Sequence, residues 1–209
     1  KLGKRVSRCL NLMLKTYSRM KREKNMQLNA CADLLKKVTK INNDKDWKEK
    51  IKKGDITIIE FDLKEQFNNI KKKEIIRAMK IFIQRFKDMK YKSCLIAKSQ
   101  NEKRCDIMLK EKIISKRSRS KYLSDKYYEI EFDVIERYIK FVLETSYSKI
   151  GDVILDQPLG VPIGGLISCT IADIVSIICE EDEIIDIIKN ETMTIRPWRF
   201  RDNKMIFID

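Results

Sequence analysis

The sequence predicts an α+β fold, and three observations lead to that prediction. A β-branched run, ITIIEF at 56–61, has the composition of a strand. Apolar residues recur at helical spacing in two segments, 71–86 and 132–146. Two short apolar runs flank a polar pair at 198–209, a pattern typical of a β-hairpin.

The first 61 residues divide into three parts. Residues 1–40 are basic and carry apolar positions at helical spacing, so we expect helix there. Residues 41–55, INNDKDWKEKIKKGD, are polar and are predicted to be a connecting segment. The run at 56–61 is predicted to be a buried strand because its first four residues are all β-branched.

A predicted helix and an irregular segment follow. The helix at 71–86 places four apolar side chains on one face: Ile75, Met79, Phe82 and Phe86. Residues 87–128 carry many charges and weak periodicity, which indicates a surface insertion or a mobile basic lobe. A solvated loop and a nucleic-acid clamp both remain open as interpretations of this segment.

The C-terminal half alternates helices and hairpins. The helix at 132–146 turns three residues inward: Ile135, Ile139 and Val142. Residues 149–155 are predicted to form a short hairpin, and 156–183 a glycine-rich loop that leads into a buried helix. The closing hairpin at 198–209 is expected to turn at the pair Asp202-Asn203.

Composition indicates a globular protein without a membrane anchor. Of 209 residues, 43% are hydrophobic and 36% charged, which suits a buried core and a solvated surface. No apolar run reaches the roughly 18–20 residues of a membrane helix, and no signal-peptide pattern opens the chain. The first residue is Lys and the last residues read as an unfinished strand, so we expect a piece of a longer protein.

The charge balance favours a polyanionic partner. Lys and Arg number 45 against 31 Asp and Glu, a net charge of +14. Such an excess is typical of nucleic-acid binding, because neutralising phosphates releases counterions. The chain is also rich in Lys, Ile and Asn throughout, so a merely basic surface is the alternative.

Histidine and cysteine usage excludes several classes of site. Histidine is absent, which excludes His-based nucleophilic triads and His-ligated zinc in this chain. The cysteines are scattered without a CxxC pair, which favours free thiols in an intracellular protein, nuclear or cytoplasmic. The six are Cys9, Cys31, Cys94, Cys105, Cys169 and Cys179.

Carboxylates remain as the side chains that could carry chemistry, and two stand where predicted strands end. Asp62 follows the run at 56–61, and Asp202 lies in the closing hairpin. Because only neighbouring strands of one sheet would bring them together, we expect both at one sheet edge. Carboxylate oxygens suit Mg²⁺, and two metal ions about 3.5–4 Å apart align the oxygens in phosphoryl transfer. Taken singly, each also fits a helix cap or a turn.

The loop QPLGVPIGG at 157–165 adds a third feature. Its glycines let the backbone approach a phosphate or a base closely, and the helix that follows begins with an end that favours anions. A glycine-rich loop before a helix is weak evidence in isolation.

In their order and spacing, three stretches resemble the palm domain of reverse transcriptases: FDLKEQF (61–67), QPLGVPIGGLIS (157–168) and FRDN (200–203). They are similar to the first catalytic motif, the glycine motif and the hairpin usually written Tyr-x-Asp-Asp. The finer layout resembles the Penelope-like branch, which is related to telomerase. The residues that carry this likeness are Asp62, Phe67, Ile70, Gln157, Gly160 and Gly164.

The resemblance implies roles for individual residues. Asp62 and Asp202 would ligate two Mg²⁺ ions, with Mn²⁺ as an alternative and the Leu63 carbonyl assisting. Phe67 would exclude a ribose 2′-hydroxyl, and Asn203 would complete the catalytic set. Four residues would shape the pocket for the template base and the incoming nucleotide: Gln157, Gly160, Pro162 and Gly164. Three basic residues would contact triphosphate or nucleic acid: Lys4, Arg5 and Arg8.

The resemblance also implies the architecture and the partners. We expect a right-hand polymerase palm, an antiparallel sheet backed by two long helices near 71–86 and 166–180, with partial helical fingers and the thumb missing. The partners would be an RNA template, a DNA primer and dNTPs, with no membrane. The predicted regions are partial fingers at 1–54, palm at 55–86 and 129–209, and a basic insertion at 87–128.

Two departures from the family pattern leave alternatives open. Asn203 replaces the second hairpin Asp, and Ile163 stands where a Gln is common. An Asn removes one negative charge but still offers a carbonyl oxygen. The leading hypothesis is an RNA-directed DNA polymerase, and the second is an inactive palm that retains nucleic-acid binding. A third, a basic helical interaction protein with a chance motif match, predicts no sheet that joins the Asp62 strand to the hairpin.

Overall fold

A computed structural model describes residues 2–20, 28, 31–62, 69–98, 107–111, 126–162, 164–190, 195–200 and 203–208. The chain forms two compact units. The helical unit comprises Lys1–Met20 and Phe67–Ile178, and the hairpin unit comprises Lys21–Gln66 and Cys179–Asp209.

The described elements mix helices with antiparallel strands, so the predicted α+β class is confirmed. The helices are α1 Leu2–Met20, α2 Cys31–Asn43, α3 Lys45–Lys53, α4 Lys72–Asp88, α5 Phe132–Glu144 and α6 Ser168–Asn190. The strands are β1 Thr57–Asp62, β2 Tyr91–Ala97, β3 Ile107–Glu111, β4 Tyr127–Glu131, β5 Tyr147–Ile150, β6 Val153–Asp156, β7 Ile195–Phe200 and β8 Asn203–Ile208.

Each unit has its own antiparallel sheet. In the hairpin unit the strand order is β1-β8-β7. In the helical unit the order is β3-β2-β4, and β5 and β6 form a separate two-stranded hairpin.

The core of the helical unit is apolar and aromatic. Helix α4 contacts α5 and β2, and α1 contacts α5. The four α4 residues predicted to share a face are all buried, as the 3.6-residue period requires. The Phe86 ring lies 5.2 Å from that of Phe82 and 6.2 Å from that of Phe132, measured between centroids. These contacts tie α4 to α5.

The core of the hairpin unit is smaller and is built around two tryptophans. Trp47 of α3 and Trp198 of β7 are buried together with Leu28 and Ile41. Met205 and Phe207 of β8 pack against them, and the Trp198 and Phe207 ring centroids are 4.6 Å apart. Helices α2 and α3 therefore cover one face of the β7–β8 hairpin.

Several sequence-based predictions agree with the observed elements. Helix α5 buries Ile135 and Ile139 as expected. The short hairpin near 149–155 is present as β5 and β6. Helix α6 is buried almost all round between Thr170 and Ile178. Among the described helices, none combines the length and the apolar character needed to cross a bilayer.

The connecting segment predicted at 41–55 is instead mostly helical, so that prediction was wrong. Helix α3 spans Lys45–Lys53 and ends at Gly54, whose φ of 78° is left-handed and whose N–H bonds to the Ile51 carbonyl. Trp47 is buried and anchors the helix. Only Trp47 and Ile51 are apolar in this helix of nine residues, so its composition resembled that of a polar connection.

The prediction that β1 is a buried strand was also wrong. Ile58 and Ile59 are 58% and 43% exposed. Strand β1 is paired on one side, by β8, in the described part of the sheet. A run of β-branched residues indicates that a segment suits a strand, but it does not distinguish an edge strand from a central one.

The segment 87–128 contains strands that the sequence did not reveal. Strand β2 is central in its sheet and buries Ser93, Cys94, Leu95 and Ile96. Flanking lysines masked this short apolar run. A nucleic-acid role for the segment stays a prediction, as do the predicted domain boundaries.

Candidate functional site

Strand pairing brings Asp62 to the closing hairpin. Asp62 is the last residue of β1, and its direct partner across the antiparallel pair is Asn203, the first residue of β8. Directly opposite side chains share a face, with Cβ atoms about 4.5–5.5 Å apart. Both residues are exposed. A carboxylate and a carboxamide therefore face each other, open to solvent, at one end of the sheet.

Asn203 is a strand residue rather than part of the predicted turn pair. It opposes Phe200 of β7 as well as Asp62, so it lies inside the ladder with a paired strand on each side. The strands on both sides of a residue within the ladder fix the face to which its side chain points, whereas a turn residue lacks this constraint.

Three of the predicted site residues lie outside the described residues: Leu63, Phe67 and Asp202. Their roles stay predictions, as does the predicted closeness of the Asp62 and Asp202 carboxylates.

The donors at the strand ends suit a hard cation. Asp62 offers a carboxylate and Asn203 a carbonyl oxygen, and Mg²⁺ takes oxygen ligands, typically from one or two carboxylates plus water and substrate phosphates. Within the described ranges no group of three or more Cys, Asp or Glu side chains is placed to hold a metal. Asp62 and Asn203 could therefore contribute two oxygen ligands to a metal ion.

A buried ionic cluster lies next to this pair. Glu180 of α6 places its Oε1 2.7 Å from Nε of Arg199 and 3.3 Å from Nζ of Lys204. Glu180 and Arg199 are 2% and 0% exposed. Burial raises the pKa of the Glu180 carboxyl above its usual range, and the charges of Arg199 and Lys204 oppose that rise. We call these three residues the Glu180 cluster.

The glycine loop belongs to the helical unit and is held by its own hydrogen bonds. Gly160, with φ of 76°, is buried, and its N–H donates to the Ile70 carbonyl at 2.7 Å. The Gln157 side chain donates through Nε2 to the Val161 carbonyl at 3.2 Å. Gln157 and Gly160 thus have structural roles, because their hydrogen bonds close the loop onto itself and onto the segment before α4.

Pro162 and Gly164 shape the end of this loop, where α6 begins. The Pro162 carbonyl accepts bonds from the Gly165 N–H at 3.0 Å and from Ser168 Oγ at 2.5 Å. Gly164 is exposed at φ of 78°, and a Cβ added there would meet no atom within 4 Å. Of the four predicted pocket residues, Gly164 therefore presents the most open backbone to a ligand.

The basic residues of α1 are not equivalent. Lys4 and Arg8 are exposed, whereas Arg5 is half-buried. The Arg5 guanidinium carbon lies 3.6 Å from the centroid of the Tyr128 ring in β4, a cation–π distance. Arg5 therefore joins α1 to β4, which is a structural role beside its predicted contact with a triphosphate.

Comparison with known proteins identifies the fold. No protein-family model matches the sequence, and no curated protein matches it. Among solved structures, telomerase from Candida albicans in complex with a TWJ fragment of telomeric RNA is similar, with a TM-score of 0.66, 14% identity and 97% of this chain covered. Apo telomerase from Candida tropicalis gives a TM-score of 0.66 at 13% identity, also over 97% of the chain. The fold is reverse-transcriptase-like.

This likeness has a defined extent. The chain spans 30% of the length of each of these two telomerase chains. At such low identity the comparison establishes the polymerase-like α+β fold and supports no particular branch, so the Penelope-like assignment stays a prediction.

Sequence reasoning missed the Glu180 cluster as a functional feature of this reverse-transcriptase-like fold. Arg199 lies in the apolar strand segment WRF, and Glu180 follows the apolar run IVSIIC of the buried helix. Charged residues at positions predicted to be buried require partners, because a buried unpaired charge is very costly. That signal was present in the sequence, but the pairing itself depends on the register of β7 with β8.

Proposed function

We propose that this chain is the nucleotidyl-transfer domain of a reverse transcriptase and adds deoxynucleotides to a primer 3′-hydroxyl as directed by an RNA template. The telomerase-like fold and the net charge of +14 support the proposal. The observation that carries it is the direct pairing of Asp62 with Asn203, next to Asp202 in sequence. Intracellular location and the Penelope-like branch are part of the same proposal.

Asp62 would hold Mg²⁺ together with Asp202 and the Leu63 carbonyl, with Mn²⁺ as an alternative ion. Bound metal would supply charge neutralisation and alignment of the two reacting oxygens. Asp62 contributes an exposed carboxylate fixed at the end of a strand, and Asn203 contributes a neutral oxygen donor opposite it. Pairing across the sheet holds both in place before substrate arrives, which lowers the entropic cost of assembling the site.

The remaining predicted residues would bind the nucleotide and the template. Phe67 would exclude a 2′-hydroxyl, and the open backbone at Gly164 would allow close approach of a nucleotide. Gln157, Gly160 and Pro162 would maintain the loop that presents Gly164. Lys4 and Arg8, both exposed on α1, would contact phosphates.

Asn203 favours a second candidate, a domain that binds nucleic acid without catalysis. An Asn opposite Asp62 leaves one carboxylate in the described pair, so metal affinity would be lower than with two. The third hypothesis, a helical interaction protein, predicted no sheet shared by the Asp62 strand and the hairpin. The pairing of β1 with β8 over their whole length does not fit that hypothesis.

Primer extension on an RNA template tests the proposal. The 209-residue chain, and the longest natural polypeptide that contains it, would be assayed with dNTPs and Mg²⁺ or Mn²⁺. We expect Asp62→Ala to reduce extension by at least about a hundredfold, since a catalytic metal is worth several kcal/mol and each 1.4 kcal/mol is a factor of ten. Glu60→Ala, on the same exposed strand, is the matched control and should retain activity.

Asn203→Asp separates the two candidates. If the parent chain extends no primer but Asn203→Asp does, the inactive candidate is correct and one lost carboxylate accounts for it. If both are silent while Mn²⁺ titration followed by electron paramagnetic resonance shows no site that depends on Asp62, the polymerase proposal is wrong.

A further inference from the structure

The Glu180 cluster binds both strands of the closing hairpin at once. Arg199 of β7 and Lys204 of β8 are direct partners in the ladder. Their pair is adjacent to the Phe200–Asn203 pair, where the hairpin begins. Glu180 contacts the two cations at 2.7 and 3.3 Å, so one carboxylate of α6 holds both strands one step from Asn203.

This arrangement selects a single register. Side chains alternate between the faces of a strand, so a shift of one residue would carry Arg199 or Lys204 to the opposite face. Each would then leave Glu180, which is 2% exposed. A carboxylate buried without its cations costs several kcal/mol. The shifted register is therefore strongly disfavoured.

The opposite face of the hairpin is held separately. Trp198 and Met205 lie on the face opposite Arg199 and Lys204. Trp198 is part of the apolar core that also contains Trp47, and Met205 packs against that core. That contact is apolar and non-directional, whereas the Glu180 contact requires specific charged partners. Within the hairpin unit, the Glu180 cluster is thus the contact that fixes the position of the hairpin along α6.

We propose that Glu180 is a positioning residue, which through Arg199 and Lys204 sets the strand register and the position along α6 at which Asn203 faces Asp62. The cluster would act on the reaction only through the position of Asn203. The structural part of the inference stands on the contacts alone, whereas its effect on catalysis rests on the proposed function.

The test compares Glu180→Gln, which removes the charge but keeps the shape, with Asp182→Asn, an exposed carboxylate on the same helix. The first measurement is amide hydrogen exchange in the 209-residue chain, which needs no activity. We expect amides of 203–208 to exchange at least tenfold faster in Glu180→Gln, those of 72–88 to be unchanged, and Asp182→Asn to match the parent. An equal rise in both segments would mean general destabilisation and would overturn the inference.

The second measurement is the kinetics of extension. We expect Glu180→Gln to lower kcat about tenfold or more and to leave KM for dNTP near the parent value, because the nucleotide-binding loop is not part of the cluster. Glu180→Asp, which keeps the charge, should recover part of kcat. An unchanged kcat alongside loosened hairpin amides would overturn the catalytic part of the inference.

Two further cases are a Glu180→Gln variant that does not fold and a parent chain that extends no primer. If Glu180→Gln does not fold, Lys204→Gln, which leaves the Arg199 contact in place, is measured in the same way. If the parent extends no primer, the proposed function fails, while hydrogen exchange still decides whether Glu180 positions the hairpin.

Discussion

The two units of this chain have interiors of different chemistry. In the helical unit the largest fully buried side chains are aromatic and aliphatic, with Tyr17, Phe82, Phe86 and Phe132 in ring contact. In the hairpin unit one face of the hairpin is apolar, but the other holds the Glu180 cluster. Each interior therefore fixes its strands and helices by a different means.

This difference separates stability from specificity. Apolar cores gain free energy from buried area and accept many substitutions of similar volume. A buried ion pair contributes little net stability, since desolvation of the charges offsets their attraction, but removal of one partner is costly. The interior of the helical unit therefore contributes stability through buried apolar area, whereas the buried ion pair of the hairpin unit contributes specificity of strand position.

The largest effect is expected in the helical unit. Phe86→Ala should lower the free energy of unfolding by about 3–5 kcal/mol, because it empties a site surrounded by the rings of Tyr17, Phe82 and Phe132. Urea denaturation measures this change. Phe141→Ala is the control, since Phe141 is exposed on α5 and its loss should cost less than about 0.5 kcal/mol. Similar losses in both variants would contradict the inferred role of the aromatic core.

The next effect tests the ionic interior. Glu180→Leu should cost about 3 kcal/mol, because it leaves the buried Arg199 guanidinium and Lys204 without their carboxylate. The double variant Glu180→Leu/Arg199→Met should lie within about 1 kcal/mol of the parent, since an apolar pair of similar volume replaces the charges. The Lys204 side chain is 12% exposed and can reach water. A double variant less stable than Glu180→Leu would mean that the cluster stabilises the fold outright.

Local patterns predicted the elements whose periodicity was strong. Helix α4 follows from Ile75, Met79, Phe82 and Phe86, all buried at the expected spacing. The closing hairpin followed from its polar pair between apolar runs. Its exact register did not, because the turn pattern alone could not place Asn203 inside β8.

The features that the sequence did not reveal depend on distant pairing. The exposure of Ile58 is set by which strands flank β1, and the contact of Glu180 with Arg199 is set by the approach of α6 to β7. For the candidate site, sequence reasoning correctly joined the Asp62 strand to the hairpin. The assignment of Gln157 and Gly160 to a ligand pocket stays a prediction, and the structure adds the bonds by which these residues close the loop.

The smallest effect concerns an exposed ion pair, for contrast with the buried cluster. Lys87 of α4 donates to Asp133 of α5 at 2.8 Å, and this hydrogen bond and the charge of Lys87 hold the pKa of Asp133 below its usual range. The Asp133 side chain is 68% exposed, so the pair should contribute at most about 0.5 kcal/mol. Because the folded-state pKa is lowered, this contribution is present above the unfolded value of about 3.9 and is lost as pH falls through the folded value.

Urea denaturation of Asp133→Asn and the parent at several pH values checks this sign. We expect a small deficit for the variant at pH 7, which shrinks as the solution is acidified below about pH 4 and also shrinks in about 1 M salt, where the Debye length is roughly 3 Å. Glu144→Gln, which removes an exposed 3.7 Å pair with Lys140 on the same helix, is the matched control. A loss of unfolding free energy that grows on acidification, or one above about 1 kcal/mol, would contradict this prediction. It would mean that an exposed ion pair of the helical unit affects stability as strongly as the buried Glu180 cluster.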